Sequence, residues 1–561
     1  MGGPGGVGDS ASTPRAAPAA AHLGAAPCLH CRNGPAPERE RGFAGTVTTF
    51  RGNFDSWPFC QGESSMTELN ASTLSQLPSK VAAPSYDRSR LKRGIAHFGV
   101  GNFHRAHQAF YIDRCLALPG QEDWGIVGIG LFGGERGRQK AAQFRTQDCL
   151  YSLTIAPPKG EPGVRVIGAQ LDYLLAPEEP DEVLALLTSP DLRIVTLTIT
   201  EGGYHVDPHS NAFVTDHPDV AHDLAGNGAP RTVFGFVTEA LARRRAAGIK
   251  PFTVASCDNL RHNGDVARTA FVGFASARDP ELGAWIQASV AFPNSLVDRI
   301  TPSVTAEDAA RLNAASGLDD RIPLVAEDFT QWVIEDRFTD GRPALEKVGV
   351  QLSDEVKLWE QVKVRVLNAS HLTLAYPALL LGYHEVAEAM RDPQVPVLLE
   401  RFLDKIVLPL LEAPRNVNLV DYKNTVLERF SNEAMHDQLT RIASDSASKV
   451  PVYFTTTLKE MLAQGGDHRI PAFTLAAWSR VLQGQDDDGK AFEILEPRLD
   501  DRARRQLASG DPAQALRIEP LLASGVAEHA DFAASFEGYR KALAEHGARA
   551  TLQAILDATA G

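Results

Sequence analysis

Residues 94–110, GIAHFGVGNFHRAHQAF, decide the fold. GIAHFGV (94–100) is a short apolar run and predicts a buried strand, and AHQAFYIDRCLAL (106–118) predicts the helix after it. Between them stand Gly99, Val100 and Gly101. Glycine at both outer positions permits a tight turn and close approach of backbone to a pyrophosphate, with a helix N-terminus behind it. The third glycine of a full G-x-G-x-x-G is replaced by His104, so the motif alone fits a plain strand-to-helix turn equally well.

Outward from this stretch the pattern repeats. WGIVGIGLF (124–132) predicts a second strand, and LRIVTLTIT (192–200) and PFTVASC (251–257) are further apolar runs rich in β-branched residues. Strand alternating with helix implies a parallel sheet, and the order strand, G-x-G, helix, strand favours an α/β, Rossmann-type dinucleotide-binding domain over 66–345. From about 346 the texture changes. EVKLWEQVKVRVLNASHLTLAYPALLLG, VPVLLERFLDKIVLPLLE and AAWSRVLQ read as helices, which predicts a mainly α-helical C-terminal domain over 346–561. Residues 1–65 open MGGPGGVGDSASTPRAAPAAA and are expected to be a disordered extension. Met66 is then the expected natural start, with a genuine but dispensable tail as the alternative.

At 561 residues, 43% hydrophobic and 22% charged, the composition is that of a globular protein too long for one core. The formal net charge of -14 argues against nucleic acid and anionic membrane surfaces as partners. No stretch approaches the roughly 20 apolar residues of a membrane helix. Six scattered cysteines fit a reducing, cytoplasmic setting. Cys28 and Cys31 form a C-x-x-C without a second pair, so chance occurrence is expected and no metal site is assigned.

Chemistry concentrates in Lys363-Val-Arg-Val-Leu-Asn368-Ala-Ser-His371. At roughly 100° per residue, Asn368 lies about 140° round from Lys363, His371 about 80° and Glu360 about 60°, so all four share one side of a helix. Polar groups on such an apolar stripe need partners. An amphipathic surface helix with a solvated lysine is the bland alternative. Alcohol oxidation supplies a reason for the set: a buried lysine of lowered pKa takes the hydroxyl proton, and asparagine amides donate to the developing oxyanion. Ser256-Cys257-Asp258-Asn259 follows a strand, where α/β ligand sites gather, although Asp-Asn and the later Asn263-Gly264 also suit plain turns. Asn259 is a candidate second oxyanion donor, and Thr200-Glu201-Gly202-Gly203-Tyr204 can edge the same crevice.

FGVGNFHRAH (98–107), TITEGGY (198–204), SCDNLRHNG (256–264), FPNSLVDRITP (292–302), QWVIED (331–336), KVRVLNASH (363–371), RFSN (429–432) and RIASDSASKVP (441–451) together resemble the polyol-specific long-chain dehydrogenases, the mannitol dehydrogenase family. The resemblance runs from about Met66 to near the end. It implies NAD-dependent interconversion of a sugar alcohol and its ketose, D-mannitol and D-fructose foremost, with D-arabinitol oxidation and hexuronate reduction as alternatives. A catalytically silent dinucleotide sensor is the remote one. Lys363 is then the base, Asn259 and Asn368 the oxyanion hole, and Glu360 the gate for its proton. His371, Arg441 and Lys449 bind substrate hydroxyls, and Asp298 sits near nicotinamide and substrate. Ile95, Phe98, Gly99, Val100, Gly101, Asn102, Phe103, His104, Arg105, Ala106, Glu201 and Gly202 are the implied cofactor residues. Asn102 stands where many members have glycine. The family also implies a metal-independent monomer. LFGGERGRQK (131–140) offers Glu135 for the ribose of NAD beside Arg136 and Arg138, which would favour NADP. NAD is expected, because Glu135 comes first.

Overall fold

The computed structural model describes residues 66–207, 210–522 and 524–560. The expectations for residues 1–65, Cys28 and Cys31 included, fall outside them.

Five strands form the central sheet: β1 (Ile95–Phe98), β2 (Ile126–Gly130), β3 (Gln170–Leu175), β4 (Ile194–Leu197) and β5 (Thr253–Ser256). All pairings are parallel, and the order is β3-β2-β1-β4-β5. This is the doubly wound dinucleotide-binding arrangement, with its topological switch between β1 and β4. β1, β2, β4 and β5 are buried along their whole length. That is why they read as continuous apolar runs rather than alternating ones. The period of two survives inside: Ala96 and Phe98 join one core cluster, and Ile95 the other. The one polar residue of β1, His97, is fully buried and bonds Thr196 Oγ1 at 2.8 Å and Thr198 Oγ1 at 3.0 Å. Burial pushes its pKa down to about 3, so the ring is neutral.

The first domain is less regular than strict alternation predicts. A hairpin, Tyr151–Ala156 with Gly163–Ile167, extends through a parallel pairing to Leu324–Glu327. β6 (Ser295–Asp298) pairs antiparallel with β7 (Gln331–Ile334), bringing Val297 opposite Trp332. Thr67–Glu68 pairs with Leu318–Asp319, so the segment just after Met66 is part of the fold.

Gln351–Leu352 is the last strand. Helices follow, among them Val356–Val362, Ala369–Leu380, Leu419–Phe430, Ser446–Ala463 and Arg469–Val481 around one apolar core. One expectation fails here. Val356 to Leu380 is not a uniform α-helix: Lys363–Asn368 is a π turn, closed by Ala369 N–H on the Val364 carbonyl. A π turn carries more than four residues per turn, so the 100° arithmetic no longer holds through it. Residues five apart, such as Lys363 and Asn368, come round to the same side rather than about 140° apart. Among the described residues, no helix is long and apolar enough to cross a membrane.

Candidate active site

β1 runs into Gly99 at φ +90°, where a side chain would strike the Thr198 carbonyl at 2.0 Å. The protein's own packing demands this glycine. Gly101 differs: a Cβ there would meet nothing closer than the Gly99 carbonyl at 3.8 Å. The space over it is open, at the carboxyl end of the sheet beside the switch point, and it fits a dinucleotide phosphate. Ile95, Phe98, Val100, His104 and Ala106 are buried and shape the loop from beneath. His104 stacks on His97 with ring centroids 3.4 Å apart, and Phe103 stacks on His107. Arg105 clamps the turn, donating to Asn102 Oδ1 at 2.8 Å and to the Ile322 carbonyl at 2.7 Å. Glu201 and Gly202 are exposed on the turn after β4. That turn is held by Asp258, whose carboxylate accepts the Ile199 and Thr200 N–H groups. Glu135 stands in the first turn of helix Gly134–Thr146, 88% exposed and 3.3 Å from Arg138.

Lys363 stands at the start of the π turn. Its Nζ donates to Asn259 Oδ1 at 2.6 Å and to the Val297 carbonyl at 2.8 Å. Burial lowers its pKa, and Arg429 adds to that, against the opposing pull of Asp298 and Glu360. Two of its three hydrogen-bonding positions are taken, and the third remains for a ligand. Around it stand orphaned groups. Asn368 Oδ1 and His371 Nε2 are buried without a hydrogen-bond partner. The His371 ring stacks on Phe430, and burial, with Arg441 and Arg429, holds its pKa well below the ordinary value. Buried polar atoms without partners are rare enough to mark a site that a polar ligand completes.

Glu360, one turn before Lys363, is buried and pushed up to about 7, chiefly by burial. Asp298 ends β6 beside Val297, but its carboxylate is engaged: Arg429 donates to it at 2.9 and 3.2 Å and to Glu327 at 2.8 and 2.9 Å. Burial would raise the Asp298 pKa; Arg429 and Lys363 outweigh it, and the carboxylate stays charged. Lys449 Nζ donates to the Ser444 and Ile442 carbonyls at 2.6 and 3.0 Å. Arg441 is bound bidentately by Asp437. Both cations depress the pKa of His371, which places them on its side of the site.

Sequence reasoning missed Arg429 and Glu327 as the partners of Asp298, although RFSN flagged the arginine's neighbourhood. It also missed Tyr453, whose hydroxyl interacts with Asn259. Tyr453 sits in RIASDSASKVP's helix two residues past the quoted run, so a helical-face reading of that segment would have reached it.

The chain matches the mannitol dehydrogenase Rossmann domain over residues 93–347 and the mannitol dehydrogenase C-terminal domain over 355–544. It is 49% identical over 486 residues to a polyol:NADP oxidoreductase of Gluconobacter oxydans, covering 87% of this chain and 100% of that protein. A mannitol 2-dehydrogenase of Phaeosphaeria nodorum is 40% identical, covering 87% and 86%. Among solved structures, a substrate-free D-sorbitol dehydrogenase superposes with TM-score 0.82 at 48% identity, covering 86% of this chain and 100% of the other. Pseudomonas fluorescens mannitol 2-dehydrogenase, in complex with NAD and D-mannitol, superposes with TM-score 0.78 at 41% identity, covering 88% and 100%. With a dinucleotide-binding sheet, a helical second domain and matches along most of its length, the chain belongs to the mannitol dehydrogenase family of polyol dehydrogenases.

Proposed function

We propose that the protein interconverts a sugar alcohol and its ketose, D-mannitol and D-fructose foremost, with Lys363 as the acid–base group and no metal in the step. The observation that carries this reading is the bonding of Lys363: two acceptors take two of its hydrogen-bonding positions and leave the third for a substrate hydroxyl. On oxidation the amine takes the hydroxyl proton; on ketone reduction the resulting ammonium returns it. The Asn259 oxygen faces Lys363, so its NH2 is turned away from the lysine and can donate to the developing alkoxide together with the Asn368 amide. A bound dinucleotide would supply the hydride acceptor for the carbinol carbon. Gly101 and the first N–H groups of helix Asn102–Ala106 would hold its phosphates. Asp437 neutralises Arg441, which favours an uncharged polyol over a hexuronate.

NAD is the first reading for the cofactor, with Glu135 as its ribose partner. One observation favours NADP as a second. Lys140, on the helix after β2, donates to the Val100 carbonyl of the glycine loop. Burial, with Arg105 and Arg136, lowers its pKa to about 8, and among the described residues no carboxylate pairs with Lys140 or Arg136. A 2′-phosphate would complete such a group of cations. The relative named a polyol:NADP oxidoreductase points the same way.

The test is a panel of hexitols, pentitols, ketoses and hexuronates followed by absorbance of the reduced nicotinamide, with NAD and NADP also titrated against protein fluorescence. D-Mannitol and D-fructose are expected to give the highest kcat/KM, and Lys363→Ala to lose on the order of 10²–10⁴-fold in turnover with dinucleotide affinity retained. Near-normal turnover in Lys363→Ala would remove the lysine from the chemistry.

A further inference from the structure

Lys363 is buried, so a proton it collects in each oxidative turnover needs a way out. Glu360, one turn earlier on the helix, is close enough to act on the lysine electrostatically. Its own carboxylate meets a residue of the other domain. His262 donates its backbone N–H to Glu360 Oε1 at 2.9 Å and sets its ring Nδ1 3.1 Å from Glu360 Oε2. The Nδ1 contact is within ion-pair reach but off the line of a hydrogen bond, so the two atoms face each other without a settled partner. The same Nδ1 is shielded from solvent, while the His262 side chain is 40% exposed. One edge of the ring therefore looks inward at the carboxylate and the rest looks outward at water.

The backbone adds an independent sign. His262 adopts φ +53°, a left-handed conformation that costs a non-glycine residue free energy, and it does so at the start of helix Asn263–Arg278. That conformation aims both the N–H and the ring at Glu360. Arg261, Lys357 and Asp265 are the charged groups that flank the pair.

We propose that His262 is the proton outlet of the active site, passing to solvent the proton that Lys363 takes from the alcohol and hands on through Glu360. The proposal rests on the polyol reading above. The steps balance as proton transfers alone. The Lys363 ammonium protonates the Glu360 carboxylate and returns to the amine. The Glu360 carboxyl protonates His262 Nδ1, and the ring loses its Nε2 proton to water. Rotation of the part-exposed ring into solvent lets water take the Nδ1 proton and return one to Nε2, which restores the starting tautomer. Ketone reduction runs the same chain inward.

Stopped-flow mixing in weak buffer with a pH-indicator dye follows hydride transfer and proton release together. In the wild type the two traces are expected to coincide. His262→Gly suits the left-handed backbone and leaves room for a small base. It is expected to keep the hydride-transfer rate of the first turnover, to delay proton release by about tenfold or more, and to recover with added imidazole. His262→Gln keeps the bulk of the ring; it should show the same delay without rescue, and it remains measurable should the glycine form fold poorly. A proton trace that keeps pace with hydride transfer in either folded variant would overturn the relay. A wild-type protein inert towards every polyol and ketose would instead sink the polyol reading itself.

Discussion

Asn259→Asp changes one terminal atom pair and little else in shape. It replaces a neutral oxygen 2.6 Å from Lys363 Nζ with a carboxylate oxygen. At 2.6 Å and an effective dielectric of about 20, that charge is worth at most about 6 kcal/mol to the ammonium form. At about 1.4 kcal/mol per tenfold, the ceiling exceeds four decades of proton affinity. Residue 259 is exposed to the cleft, so solvent screens most of it. We expect the alkaline-rising limb of polyol oxidation to move up by about 1–2 pH units, with ketone reduction persisting to correspondingly higher pH. Both plateaus should also drop, on the order of 10²-fold, because the variant loses an oxyanion donor. Initial rates in both directions across pH separate the two effects: a limb that moves reports the lysine, and a plateau that falls reports the amide. A limb that stays put or moves down would refute the assignment of Lys363 as the titrating base.

The two glycines of the loop should fail differently. Gly99→Ala meets the Thr198 carbonyl and a left-handed backbone and should lower the melting temperature sharply, whereas Gly101→Ala should fold normally and lose dinucleotide affinity in a fluorescence titration. Arg429→Met leaves Asp298 and Glu327 buried without their cation, and urea unfolding should show a loss of about 3–5 kcal/mol. Glu360 holds its proton more tightly when folded, with a pKa of about 7 against an ordinary 4.5, so the wild type loses stability as pH rises from 4.5 through 7. Glu360→Gln escapes that loss, and its stability relative to wild type should rise by about 3 kcal/mol over the same window in pH-dependent urea titrations. A constant difference between the two proteins would contradict a raised carboxyl.

What the sequence makes legible follows from range. The strand, turn and helix around Gly99 are local, and the buried parallel strands announce themselves as apolar runs, so the sheet can be read directly. The glycines look alike in sequence and are not: one answers to the Thr198 carbonyl, 99 residues away, and the other to open space. The π turn is invisible because KVRVLNASH satisfies an α-helix as well, and only the packing of both flanking halves selects the wider turn. Asp298 is visible as a carboxylate at a strand end, but its engagement by Arg429 depends on a helix 131 residues further on. His262 lies inside SCDNLRHNG, yet its meaning depends on a left-handed backbone angle that no residue type announces.

The π turn has a consequence for how the two halves of the molecule are set against each other. Lys363, at its first residue, is anchored to Asn259 and Val297 on the dinucleotide side, while its last residue, Asn368, opens the helix that runs through the core of the C-terminal domain. The extra residue acts as a vernier between two scales, advancing one half of the helix by about 100° relative to the other without moving either end far along the axis. Removing any one of Val364, Val366 or Leu367 would leave Lys363, Asn368 and His371 in the protein and reset the dial, so that the lysine and the Asn368 amide would point in different directions. Phase in a single helix, as much as residue identity, is therefore a heritable part of this active site.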